Sequence, residues 1–98
     1  MKLTKKIVYT IRDEILYEYY RGKEDVQRVF GGEIGNLADF IINHIDEIDL
    51  DEMYEAIKDI TCGKKVTGLY GKLKNYKYGF EIVYLFREKY HEKGERLI

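Results

Sequence analysis

Apolar residues recur at helical spacing through most of the chain. Leu3, Ile7, Val8, Ile11, Ile15 and Tyr19 mark one face of a helix over Thr4–Arg21, with Gly22 placed as its C-terminal stop. Strict alternation fails at Ile7-Val8 and Ile15-Leu16, so a strand does not fit. Lys23–Phe30 predicts a short helix with Val26, Val29 and Phe30 inward, ended by Gly31-Gly32. Asn36 then reads as the N-cap of a helix over Asn36–Ile45, with Asp39 three residues on. In that helix Leu37, Ala38, Phe40, Ile41, Ile42, His44 and Ile45 cover roughly 200° of the circumference at 100° per residue. So wide an apolar arc needs cover on several sides and marks the expected centre of the core.

Asp49 opens the next helix with a capping-box pattern, Asp49 at the cap and Glu52 at the third helical position. Leu50, Met53, Tyr54, Ile57 and Ile60 form its apolar face and Cys62-Gly63 its stop. The short joint before Asp49 predicts that this helix pairs antiparallel with the preceding one. Beyond Gly63 two readings compete. Gly68 and Gly71 are unfavourable inside a helix, and Tyr76, Tyr78, Phe80, Ile82, Tyr84 and Phe86 alternate as in a strand. Ile82, Val83, Phe86 and Tyr90 are instead spaced for a helix, which is favoured from about Phe80 to Lys93; a β-hairpin over Val66–Phe86 is the rival. The expected fold is mainly α, one domain over 1–98 with four to five helices, and α+β with that hairpin is the alternative.

Composition narrows the class. A chain of 98 residues with 45% hydrophobic and 36% charged residues suits one globular core. The single cysteine, Cys62, cannot form an internal disulfide and favours a reducing compartment. The N-terminal stretch lacks a signal-peptide pattern, and Ile82–Phe86 is far too short to span a bilayer. A cytoplasmic protein without a membrane partner is the expectation.

Charge is segregated along the chain. Residues 1–23 carry six basic and three acidic residues, residues 24–61 two and eleven, and residues 62–98 nine and four. Seven carboxylates fall within the fourteen residues from Asp46 to Asp59: Asp46, Glu47, Asp49, Asp51, Glu52, Glu55 and Asp59. Such a face is either solvated or a dock for a protein with a basic surface, including one that itself handles nucleic acid. Lys64–Phe80 holds five lysines and no acid, interleaved with Tyr70, Tyr76 and Tyr78. Lys72, Lys74, Tyr76, Lys77 and Tyr78 are therefore the candidates for single-stranded nucleic acid, lysines for phosphates and rings for bases. The stretch contains no arginine, which weakens base-edge readout.

Other chemistry finds less support. His44 in the apolar arc is the centre of a small-enzyme reading, with Cys62 or a carboxylate as its helper. His44, Cys62 and His91 lack the spacing of a zinc site, and no metal or cofactor is expected. The acidic run lacks the glycine of a calcium loop, and the glycines match no phosphate-binding loop. Glu24–Ile45 resembles a helix-turn-helix in spacing, but its second helix carries Asp39 and Asp46 and no Lys or Arg, which phosphates would repel. The first expectation is thus a non-enzymatic regulator or inhibitor that binds a protein through its acidic helical face. In type it looks like the small inhibitors encoded by phages and mobile elements, anti-CRISPR proteins among them, a likeness that assigns no residue. Surplus tyrosine and isoleucine are compatible with a homodimer.

Overall fold

The structure is a computed structural model; it describes residues 2–19 and 24–96, except for the side chains of 19, 24–29, 95 and 96. Helix α1 spans Lys5–Tyr19, α2 Glu24–Asn43, α3 Leu50–Thr61 and α4 Gly79–Arg96, with a 3₁₀ helix at Leu69–Asn75 between the last two. The fold is mainly helical, and the described residues include no strand, so the segment expected as helix or hairpin is a 3₁₀ turn followed by a helix. None of these helices is long and apolar enough to cross a membrane. Gly22, expected to stop α1, and the side chains of Tyr19, Val26 and Val29 lie outside the described residues.

One apolar cluster joins all five helices. Val8, Ile11 and Ile15 come from α1, Ile34, Leu37, Ala38 and Ile41 from α2, Met53 and Ile57 from α3, Leu73 from the 3₁₀ helix, and Ile82, Val83 and Phe86 from α4. Helix α4 packs against every other helix, whereas the backbone contacts of α2 among the described residues are with α1 and α4. The organising element is therefore α4, not the arc over Asn36–Ile45. Phe40, Ile42 and Ile45 of that arc are only partly buried, and α3 lies on α4 and the 3₁₀ helix rather than pairing with α2.

The largest departure is in α2. A single helix runs through Gly31, Gly32 and Gly35, so Asn36 is an interior residue and not a cap. Burial of Ile34, Leu37, Ala38 and Ile41 on one face outweighs the local break signals. Without a turn, the helix-turn-helix spacing has no structural counterpart.

Two ionic ties fasten α1 to α4. Lys89 Nζ lies 2.5 Å from a Glu18 carboxylate oxygen and Lys93 Nζ 2.6 Å from one of Glu14.

Candidate protein-docking surface

Helix α3 is fixed at both ends, which sets the direction of its acidic side chains. Asp49 has extended backbone, and its carboxylate accepts the N–H groups of Asp51 at 2.9 Å and Glu52 at 3.0 Å. The backbone N–H of Asp49, which a capping box would give to Glu52, instead donates to the Tyr70 hydroxyl at 3.0 Å. At the other end Gly63 adopts a φ of 83°; its N–H donates to Ile60 and that of Lys64 to Asp59, closing a Schellman turn. With Leu50, Met53 and Ile57 turned inward, Asp51, Glu52 and Glu55 stand outward.

The acids divide into engaged and open groups. Asp51 Oδ1 accepts from Arg87 Nε at 2.8 Å and lies 2.9 Å from His91 Nε2, both on α4. The His91 hydrogen bond, then that of Arg87, holds the Asp51 carboxyl below its ordinary 3.8. Asp49 is occupied as the cap. Glu47 lies 3.3 Å from His44 Nδ1, Glu55 3.5 Å from Lys58, and Asp59 3.7 Å from Lys64. Asp46 and Glu52 make no ion pair with a described residue. Asp51, Glu52, Glu55 and Asp59 line one shallow groove with Ala56 and Val66.

Aromatic rings cluster where α3 meets α4. Tyr54 stacks obliquely with Phe80 at 5.8 Å and with Tyr84 at 6.1 Å between centroids. The Arg87 guanidinium lies 4.9 Å and Lys58 Nζ 5.4 Å from the Tyr54 ring centre. Tyr84 is 43% exposed. Tyrosine and arginine are enriched at protein interfaces, whereas carboxylates act there through complementary charge.

The lysine-rich segment is built differently. Lys64, Lys65, Lys72, Lys74 and Lys77 are all exposed. Its rings, however, belong to the body. Tyr70 holds Asp49, Tyr78 meets Phe30 edge-on at 5.6 Å, and Tyr76 is half-buried. Burial, then the charges of Glu33 and Asp39, push the Tyr76 phenol up. Glu33 also accepts the backbone N–H groups of Lys77 and Tyr78, each at 2.6 Å, capping the approach to α4 from another helix.

His44 is half-exposed, beside Glu47 and with its ring 5.2 Å from that of Phe40. Cys62 is exposed at the end of α3 opposite Asp51 and His91, roughly 16 Å along the axis. The three residues weighed as a zinc or cysteine–histidine set share no hydrogen bond, and no three His, Cys, Asp or Glu among the described residues could hold a metal ion. Sequence spacing missed Arg87 and Glu33, and weighed His91 only beside Cys62 and His44, not as a partner of Asp51. Their partners lie 36 to 45 residues away, beyond any local periodicity.

Fold and surface together define a small helical protein with an acidic outer face on α3. No protein-family model, curated protein or solved structure matches the chain.

Proposed function

We propose that this protein is a non-enzymatic regulator or inhibitor that docks on a basic surface of a partner protein through the outer face of α3. The observation that carries the reading is the groove in which Glu52, Glu55 and Asp59 converge, on a helix whose Tyr54 is in ring contact with the exposed Tyr84 of α4. Glu52 pairs with no cation among the described residues, and the pairs of Glu55 and Asp59 are long, exposed and readily exchanged for a partner's Lys or Arg. Complementary charge speeds encounter, and the tyrosines supply apolar contact area. Asp51 and Asp49 are set apart from this role, since one joins α3 to α4 and the other caps α3. A partner that handles nucleic acid has the required basic surface, as expected of targets of phage-encoded and anti-CRISPR inhibitors.

The test is affinity capture from the source cell with the native chain and with Glu52→Lys/Glu55→Lys. The reading expects a partner with a basic surface that is lost on charge reversal and released by about 0.5 M salt. Equal capture by both forms overturns it. Binding of single-stranded nucleic acid through Lys72, Lys74, Tyr76, Lys77 and Tyr78 has less support, because Tyr76 and Tyr78 pack into the body and leave only lysines for phosphates.

A further inference from the structure

Helix α2 carries three glycines within five residues, Gly31, Gly32 and Gly35, at a point where the local code asks for a stop and a restart. Glycine lowers helix stability more than any residue but proline. Packing does not require it at two of the three positions. A Cβ on Gly32 or Gly35 would meet nothing within 4 Å, and neither residue has a positive φ. What glycine adds there is backbone freedom. Just beyond stand Asn36 and Asp39, spaced as a cap and third helical residue. Asp49 makes that same cap for α3 in this molecule. The sequence thus encodes two local states, and the structure shows the continuous one.

Apolar and polar ties both hold the described part of α2. Leu37, Ala38 and Ile41, after the glycines, have no exposed surface. Between the glycines Ile34 is buried as well, and a polar tie is added beside it: both oxygens of the Glu33 carboxylate accept backbone N–H groups, Oε2 from Lys77 and Oε1 from Tyr78. Phe30 adds its edge-on contact with Tyr78. A charged bidentate acceptor on two backbone donors is strong yet releasable, since water satisfies the same groups when it parts.

We propose that α2 is hinged at Gly31–Gly35, with Glu33 as the latch that keeps it straight. On opening, Ile34 leaves the core and the part from Glu24 to Phe30 swings away, while Leu37–Asn43 stays packed with Asn36 as its new cap. The open form uncovers Tyr78, Phe30 and the donors before α4, a surface distinct from the acidic face of α3, so the inference stands apart from the docking reading.

Amide hydrogen exchange on the full chain tests it without any partner. In the native sequence, amides 28–35 exchange at least ~10-fold faster than amides 41–43 and 82–86, with little dependence on low denaturant. Glu33→Gln removes the charge and one acceptor and speeds exchange of 28–35 by about 10-fold. Gly32→Ala/Gly35→Ala, which has room for both methyl groups, slows it by about 10-fold or more. Exchange of 28–35 in step with 41–43 overturns the hinge. A Glu33→Gln chain with unchanged exchange over 28–35 overturns the latch, and an unchanged double-alanine chain overturns the role of the glycines.

Discussion

The Tyr70 hydroxyl accepts the backbone N–H of Asp49, the residue whose own carboxylate caps α3. The 3₁₀ helix thereby completes the start of a helix 21 residues earlier in the chain. Tyr70→Phe keeps the ring and removes this bond, so the chain should lose about 1 kcal/mol of stability. Asp49→Ala should lose about 0.5–2 kcal/mol through the cap itself. Urea unfolding with an unchanged slope measures both.

Glycine substitutions should divide by position. Gly32→Ala and Gly35→Ala each stabilise the chain by about 0.5–1 kcal/mol, since the added methyl group finds open space on a helix. Gly71→Ala does the opposite, because its Cβ would lie 2.8 Å from the Val66 carbonyl oxygen. Thermal melts of the three variants give the signs directly.

Acid should remove the tie between α3 and α4. The folded state holds the Asp51 carboxyl below 3.8, so its contribution to stability is present above that pH and fades as pH falls through the lower folded value. Asp51→Asn should therefore be less stable than the native chain near neutrality, with the difference closing below pH ~3.8. Denaturant midpoints across pH 2–7 show whether the two curves converge.

Alkali acts through other groups. Burial, then Asp49 and Asp51, raises the Tyr90 phenol, as burial and Glu33 raise that of Tyr76. The hydrogen bond to Glu18 raises Lys89. Each of these groups keeps its proton longer when folded, so the stability they lend is whole below about pH 10 and declines above it. Tyr90→Phe should flatten that decline, as a stability titration from pH 8 to 11.5 would record.

Core and surface aromatics should differ sharply. Phe86 is 1% exposed where α4 meets the other helices, and Phe86→Ala should cost about 3–5 kcal/mol. Tyr84 lies two residues earlier and faces outward, so Tyr84→Ala should cost about 1 kcal/mol or less. Under the docking reading, the second variant loses partner binding while it keeps its fold.

Helix α3 was legible because its signals agree: Asp49 caps, Leu50, Met53 and Ile57 repeat on one face, and Gly63 closes the turn. Helix α4 was legible from Ile82, Val83 and Phe86 once their helical spacing prevailed over the alternation of aromatics. Helix α2 was not, since Gly31, Gly32 and Gly35 dominate any local reading while the burial that overrides them comes from α1 and α4. The crowding of acids on α3 was visible in the sequence. The difference between Asp51, tied by Arg87 and His91, and Glu52, left open, depends on α4 and was out of reach. The tyrosines of 70–78 likewise looked available for stacking, because nothing local reveals Asp49, Glu33 or Phe30 as their neighbours.

Because α4 contacts every other helix, the apolar surface that α1, α2 and α3 turn toward it has no lasting shelter until it forms. During synthesis Val8, Ile11, Ile34 and Met53 emerge from the ribosome well before Phe86 does. Nascent chains halted short of Phe86 should stay open to protease, and those extended past Arg96 and clear of the exit tunnel should close.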